Sequence, residues 1–340
     1  MADAVDELIE AGDVNGLLRA VDGACEARDW EALVDLADRC EDAIERGRQL
    51  WPIAAHIDYR LALEAPAEYA ALALGPGAGR FAVAPLTEVA ASTHTWAELA
   101  PHVDTPQVAA YVAQERVLRG ENLTGDERAH ADVLELPLEL LTWEPAYALA
   151  RFGSTYVEVA EPWAPVQLRA AELAPGPTED DPELVDALLD LVQPWTTESN
   201  GAARAVVVAG DAGAAASHLA LAGLRLGRIE PAAALRQIAW AAASGGAHGR
   251  RRGAALGRFL AWYTAGLVSG TEWPVEPAAL EVALGRLRWF TWDEGAPEQG
   301  WVLRIAVEHP VEGWSAALGA TDVLEDPDDE GGSDTARRTL

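Results

Sequence analysis

Apolar side chains along residues 1–125 recur every three or four positions, which is the period of a helix with one buried face. One stripe consists of Leu33, Leu36, Cys40, Ala43 and Ile44. A second has Ile53, Ile57 and Leu61 at the spacing i, i+4, i+8. The pattern predicts an N-terminal helical region made of consecutive helices.

Capping residues mark where several of these helices begin. Asp13 is placed to cap one of them, because a short acceptor side chain can bind the free N–H groups of a first turn. Thr95 followed by Glu98 has the spacing of a capping box. Thr105 before Pro106 predicts one more helix start, since proline is tolerated in a first turn.

The pattern changes in a proline-rich segment at 133–175. Residues 154–162 alternate between apolar and polar side chains, with Val157 and Val159 on one face, and predict a short strand. The run of prolines and acidic residues at 175–183 is typical of a linker, and we expect a domain boundary there.

Helical spacing returns over residues 182–323. Helices are predicted at 231–243, from the stretch at 245–259 to about residue 268, and at 277–289. A strand, a turn and a helix are predicted at 203–219, and a further strand is predicted at 301–307. Residues 324–340 form an acidic tail that we expect to be disordered. The predicted fold class is mainly α, with antiparallel helix pairs in two regions and a small β segment between or beside them.

The composition narrows the range of functions. Half of the residues are hydrophobic, so the chain can bury a core. It has no lysine, and its formal net charge is −30. A surface of this charge repels nucleic acid and anionic lipid, so neither is an expected partner.

The chain carries no signal that places it outside the cytoplasm. Its N-terminus is acidic and lacks the basic and apolar regions of a signal peptide. No apolar run is long enough to span a bilayer. Cys25 and Cys40 fall at apolar helical positions, so we expect buried thiols in a cytoplasmic protein; a disulfide would be the alternative in an extracellular one.

Ala27-Arg28-Asp29-Trp30-Glu31-Ala32-Leu33 resembles the helix-turn-helix junction of tetratricopeptide repeats. In those repeats an acidic residue and an aromatic one open the second helix. Arg28 stands where they usually have glycine, and no clean period of about 34 residues follows. The resemblance implies antiparallel helix pairs, and no binding residue is carried over from it.

Three consecutive arginines, Arg250, Arg251 and Arg252, stand between Gly249 and Gly253. Backbone N–H groups at a glycine-rich helix start can bind an anion, and guanidinium groups add forked donors for phosphate or carboxylate. Positive charge at a helix N-terminus also opposes the helix dipole, so a negative group is expected nearby. We expect that group to be one of the chain's own carboxylates, with an external anion as the alternative.

The glycines of this stretch also have a packing explanation. Gly249, Gly253, Gly257, Ala261 and Ala265 recur every four residues. On a helix they form a shallow stripe of small side chains that lets a second helix approach closely. This explains the glycines without a ligand and leaves the arginines unexplained.

Arg250-Arg251-Arg252-Gly253-Ala254-Ala255, continued by Gly257-Arg258, resembles the pyrophosphate loop of the GCN5-related N-acetyltransferases, whose core is R/Q-x-x-G-x-G/A. The resemblance implies that backbone amides of Gly249–Arg258 hold the pyrophosphate of coenzyme A. A later strand and helix of that fold would come from residues 301–318. The segment before the loop has a helical pattern, where that family has a strand.

The remaining motifs indicate structure and select no chemistry. Gly210-x-x-Gly213-x-x-Ala216 is not the G-x-G-x-x-G of a dinucleotide site, and a tight strand-to-helix turn is the better interpretation. The glycine-rich loop at 75–81 is interpreted as a surface loop. The seven histidines have no metal-ligand spacing, and the tryptophans of "RWFTWDEG" (288–295) are interpreted as buried anchors.

The sequence therefore favours a non-catalytic cytoplasmic interaction or scaffold protein, without a cofactor, that binds a protein partner through helix-pair surfaces. The alternative is an acyl-CoA-dependent N-acetyltransferase with coenzyme A at the Gly249–Arg258 loop. The candidate anion- or cofactor-binding residues are Gly249, Arg250, Arg251, Arg252, Gly253 and Arg258. No catalytic residue and no metal ligand can be selected.

Overall fold

The computed structural model describes residues 2–75, 82, 84–295, 300–323 and 337–339. The predicted loop at 75–81, apart from Gly75, lies outside the described residues, as does the predicted acidic tail up to residue 336. Of the described residues, one compact unit holds those up to Leu134, Arg151–Glu158 and 337–339. A second unit holds Glu135–Ala150 and those from Val159 onward.

The first unit is mainly helical. Its helices are α1 (Ala2–Ala11), α2 (Val14–Ala27), α3 (Trp30–Glu45), α4 (Trp51–Glu64), α5 (Ala67–Leu72), α6 (Leu86–Thr93), α7 (Trp96–Leu99), α8 (Pro106–Leu118) and α9 (Ala131–Leu134). The capping predictions are confirmed, because Asp13 accepts the N–H of Gly16 at 2.9 Å. Thr95 and Glu98 form the reciprocal capping box.

Within the described residues, nine strands form two sheets. They are β1 (Ala150–Phe152), β2 (Tyr156–Val159), β3 (Arg169–Ala171), β4 (Ala202–Ala209), β5 (Leu224–Ile229), β6 (Arg288–Asp293), β7 (Trp301–His309), β8 (Trp314–Asp322) and β9 (Arg337–Thr339). The small sheet has the order β1-β2-β9, and the large one β3-β5-β6-β7-β8-β4. Every pairing in the large sheet is antiparallel.

The second unit packs helices on both faces of its six-stranded sheet. They are α10 (Pro182–Asp190), α11 (Gln193–Thr197), α12 (Ala212–Ala216), α13 (Pro231–Ala243), α14 (Ala254–Ser269) and α15 (Pro277–Leu284). Val208 and Trp292 pack with α12 on one face. Ile305 and Leu318 point to the opposite face and are also fully buried. Both faces of the sheet therefore contribute to the core.

The predicted mainly-α fold class is wrong, because the large sheet is a substantial β component. The sequence pattern did not predict β1, β3, β5, β6 or β8. Between them, strands β5 and β8 contain alanine, glycine and arginine and lack runs of β-branched residues, whereas the aromatic residues of β6 suit a strand but are interpreted from the sequence only as buried anchors. The helix predicted at 277–289 ends at Leu284, and Trp289 lies in β6. The tryptophans of β6 are nevertheless buried, as expected.

The two cysteines are free thiols in the core of the first unit. Burial raises the pKa of both to about 11, because it disfavours the charged thiolate. A thiol with the ordinary pKa of 9.0 would have about a hundredfold more of the reactive thiolate at neutral to mildly basic pH.

We therefore expect Cys25 and Cys40 to react with a thiol reagent about a hundredfold more slowly in the folded protein than after denaturation. The measurement is the rate of thiol labelling at fixed pH, with the denatured chain as the reference. Equal rates in the two states would contradict the burial of these side chains.

Among the described residues, no helix combines the length and the apolar character needed to cross a lipid bilayer.

Candidate functional site

The segment between α13 and α14, residues 244–253, folds tightly on itself. A Cβ atom added to Gly245 would collide with the carbonyl oxygen of Gly249, and one added to Gly249 would collide with that of Gly245. Gly253 precedes α14 with a φ of +95°, which side chains other than glycine rarely adopt. The loop's own backbone contacts therefore account for these glycines.

Backbone amides of this loop donate to other groups of the same chain. The N–H of Arg250 donates to the carboxylate of Glu198 at 2.9 Å. The N–H groups of Arg252 and Gly253 donate to the carbonyl oxygen of Ala243 at 2.8 and 3.3 Å. The coenzyme A resemblance would aim these amides at a pyrophosphate, and the loop follows helix α13 where that family has a strand.

The three consecutive arginines lie in different environments. Arg252 donates to the carbonyl oxygen of Asp190 at 2.8 Å, and its Nη2 lies 3.8 Å from that residue's carboxylate. Arg251 is buried, with 6% of its surface exposed. Burial lowers the pKa of Arg250, and the negative charge of Glu198 opposes that shift. The chain's own acidic residues thus supply negative charge near two of the three.

Arg258 is fully buried and forms an ion pair with Glu144, whose side chain is also fully buried. Its Nε and Nη2 lie 2.9 and 2.6 Å from the two carboxylate oxygens, which is the forked geometry of a strong guanidinium–carboxylate pair. It also donates to the carbonyl oxygens of Pro137 and Glu139 at 2.9 and 3.0 Å. Arg258 therefore ties the segment before β1 to α14.

Further donors complete the surroundings of Glu144. Its carboxylate accepts the hydroxyl of Tyr147 at 2.8 Å, the indole N–H of Trp262 at 2.9 Å and the N–H of Leu141 at 3.1 Å. Burial, followed by the nearby charge of Glu144, raises the pKa of Tyr147 well above its ordinary value. This network, built around the buried Arg258–Glu144 pair, has the character of a structural anchor.

The predicted stripe of small side chains is real on α14 but starts later than expected. Gly249 and Gly253 precede the helix, whereas Gly257, Ala261 and Ala265 lie within it and are buried. A Cβ on Gly257 would collide with the carbonyl oxygen of Ala239 on α13. The stripe therefore lets α13 and α14 approach closely, as the packing explanation requires.

A second feature of the same unit is open to solvent. Helices α10 and α11, the start of β4 and one residue of α14 surround a groove with a volume of about 840 Å³. Its lining residues are Pro182, Glu183, Asp186, Ala187, Leu189, Asp190, Gln193, Thr196, Ala203 and Tyr263. The volume is in the range of pockets that accept ligands.

The groove is acidic on the α10 side. Glu183, Asp186 and Asp190 recur at i, i+3 and i+7 and so share one face of the helix. Glu183 and Asp186 are exposed, and no arginine of the described residues forms an ion pair with either. Arg252 approaches only Asp190. The groove therefore presents carboxylates whose charge is largely uncompensated.

An aromatic cluster adjoins the acidic side. Tyr263 lines the groove and stacks on Phe259 at a centroid distance of 6.3 Å. Trp273 contacts the edges of both rings at 5.7 and 5.3 Å. All three side chains are half-buried, so part of each ring surface remains accessible. Aromatic faces beside carboxylates favour cationic ligands.

The sequence pattern points to the arginines and does not reveal this groove. Glu183 enters the sequence interpretation only as part of the predicted linker at 175–183. The available signal was the spacing of three carboxylates on α10, opposite the buried Leu184 and Leu188. No sequence pattern brings Tyr263 beside that helix, because the contact depends on how α10 packs against α14.

In the described part of the chain, no group of three or more histidine, cysteine, aspartate or glutamate residues is arranged to hold a metal ion.

Comparison with known proteins identifies the chain only at the level of a family. No curated protein matches it, and no solved structure matches it. A family described as "Family of unknown function (DUF6183)" matches residues 15–323, which is most of the chain. The chain therefore belongs to this family of unknown function, DUF6183.

Proposed function

We propose that this protein is a non-catalytic cytoplasmic interaction protein whose second unit binds a cationic segment of a partner protein. The binding site is the acidic groove, defined by α10, α11, Ala203 of β4 and Tyr263 of α14. The observation that carries the proposal is that the uncompensated carboxylates of Glu183 and Asp186 and the half-buried ring of Tyr263 line the same groove.

The charge of the whole chain supports a basic partner. A net charge of −30 attracts cations over long distances and repels polyanions. Within the groove, each exposed ion pair contributes about 0.2–1 kcal/mol and each cation–π contact about 0.5–1 kcal/mol. A segment with several arginine or lysine side chains sums several of these small free-energy contributions. A single cation obtains only one of them.

The bonding of the arginine loop within its own chain supports binding without catalysis. Arg258 is occupied by Glu144 and two carbonyl oxygens, and amides of Arg250, Arg252 and Gly253 bond to the same chain. This geometry favours a structural role for the stretch that resembles a coenzyme A loop. We therefore carry coenzyme A forward as a control ligand and do not propose it as a cofactor.

The proposal predicts that a peptide with alternating arginine and threonine, Arg-Thr-Arg-Thr-Arg-Thr-Arg, binds the protein and loses about tenfold in affinity when Glu183→Gln and Asp186→Asn are combined. Two lost ion pairs correspond to about 0.4–2 kcal/mol, and a tenfold loss of affinity is about 1.4 kcal/mol. Calorimetric titration at physiological salt measures the change. Tyr263→Leu should weaken binding further, because it removes the aromatic face.

The matched control is Asp38→Asn with Glu41→Gln on α3 of the first unit. This pair has the same i, i+3 spacing and the same change in charge, and both side chains are exposed. Its affinity should stay within about twofold of the wild type, since only general screening changes. Equal losses in the two double variants would show non-specific attraction and would overturn the proposed site.

Two further ligands separate the proposal from its competitors. Spermine that binds as tightly as the peptide, with the same dependence on Glu183 and Asp186, would indicate a polyamine site and contradict a protein partner. A rise in melting temperature with coenzyme A, and none with the peptide, would contradict the proposal and favour the acetyltransferase alternative.

A further inference from the structure

Strand β4 lies at one edge of the large sheet, and part of its outer edge is uncovered. On its inner side it pairs with β8 over its whole length, from Ala202 to Ala209. On its outer side, an isolated bridge joins Val208 to Thr178. Among the described residues no strand pairs with the outer side from Ala202 to Val206.

The hydrogen bonds at the covered end show which residues face outward. Val207 accepts the N–H of Glu179 at 2.9 Å, and Ala209 donates to the carbonyl oxygen of Pro177 at 2.8 Å. The N–H and C=O groups of successive residues in a strand point to opposite sides, so those of the odd-numbered residues of β4 point away from β8. The N–H and C=O groups of Ala203 and Ala205 therefore face the open edge.

The open edge reaches the acidic groove at Ala203. Ala203 lines the groove together with the carboxylate-bearing face of α10. The side chain of Val208, of opposite parity, packs with α12 on the other face of the sheet. An unpaired strand edge is a template for pairing with another chain, and here one side of that template is acidic.

We propose that the partner segment binds by strand addition, so that it pairs in extended conformation with Ala202–Val206 of β4. This inference rests on the proposed function. The side chains of the added segment then alternate between the two faces of the sheet. The partner side chains on the α10 face of the sheet meet Glu183, Asp186 and Asp190. The partner side chains on the opposite face lie on the same side of the sheet as the exposed Arg204. The site therefore selects cationic residues at every second position.

The same charges disfavour a second copy of this chain as the occupant. Two β4 edges pairing across a two-fold axis would bring two sets of Glu183 and Asp186 to one site. Like charges placed together oppose such an interface, and the net charge of −30 on each copy adds to the repulsion. Charge complementarity thus points to a basic segment of another protein.

The test uses backbone methylation of the peptide Arg-Thr-Arg-Thr-Arg-Thr-Arg. One version carries N-methyl groups on the three arginines that follow threonines, and the other carries them on the three threonines. In an added strand, residues of only one kind direct their N–H groups toward β4, so only one version blocks those hydrogen bonds. The two versions have the same charge and the same number of methyl groups, and each is the control for the other.

Strand addition predicts that one methylated peptide binds at least tenfold more weakly than the parent while the other stays within about threefold. A peptide of the same composition with its arginines in one block should also bind more weakly. Equal affinities for the two methylated peptides, or equal losses, would overturn strand addition.

The experiment distinguishes failure of this inference from failure of the proposed function. If the parent peptide binds with the expected dependence on Glu183 and Asp186, and methylation has no selective effect, the groove stands and strand addition fails. If the parent peptide shows no binding, or binding that ignores both carboxylates, the proposed function itself fails.

Discussion

Replacing Glu144 by glutamine should lower the free energy of unfolding by about 3–5 kcal/mol. The substitution keeps the size of the side chain and removes its charge, so the fully buried guanidinium of Arg258 loses the carboxylate with which it forms an ion pair. A buried charge without compensation is among the most destabilising changes that a single substitution can produce. Urea denaturation followed by tryptophan fluorescence measures the effect.

The comparison for this prediction is Glu308→Gln, which breaks the pair between Glu308 and Arg288. The guanidinium of Arg288 is 49% exposed, so water replaces the lost partner. We expect a loss of about 1 kcal/mol or less there. A loss below about 1 kcal/mol for Glu144→Gln would contradict the structural role assigned to the buried network.

Gly257→Ala should destabilise the second unit by about 1–3 kcal/mol, although alanine is the better helix former. Its Cβ would collide with the carbonyl oxygen of Ala239 and would lie 2.9 Å from the Cβ of Ala243. Both obstacles belong to α13, and one of them is backbone. The two helices therefore have to move apart to accept the methyl group.

The control is the same substitution at Gly23, within α2 of the first unit. No heavy atom lies within 4 Å of a Cβ placed there, so only helix propensity changes. Gly23→Ala should therefore stabilise the protein by about 0.5–1 kcal/mol. Thermal or urea unfolding of both variants checks the signs, and stabilisation by both would contradict the close approach of α13 and α14.

Local sequence signals predicted most helices and few of the strands. Asp13, Thr95 and Glu98 act as the caps that their spacing predicts, because a cap needs only nearby backbone. Strand β8 reads Trp-Ser-Ala-Ala-Leu-Gly-Ala-Thr-Asp, a composition that also suits a helix. It is a strand because β4 and β7 pair with it on both sides, which no local pattern encodes.

The same contrast between local signals and distant contacts separates the arginine stretch, which the sequence revealed, from the groove, which it did not. The sequence indicated that a negative group lies near Arg250, Arg251 and Arg252, and the structure places Asp190 beside Arg252. For Arg258, a candidate anion-binding residue, the structure supplies Glu144. The sequence did not identify Glu144, which is more than a hundred positions from Arg258. The groove was missed because it joins α10, α11, β4 and Tyr263, which are close only in the folded unit.

The central claim is that the groove formed by α10, α11, β4 and Tyr263 binds a cationic segment of a partner protein. Hydrogen–deuterium exchange with and without the parent peptide Arg-Thr-Arg-Thr-Arg-Thr-Arg tests it most directly. We predict that backbone amides of residues 182–206 exchange more slowly when the peptide is bound and that exchange in α3 of the first unit is unchanged. Protection concentrated in α3, with residues 182–206 unaffected, would contradict it.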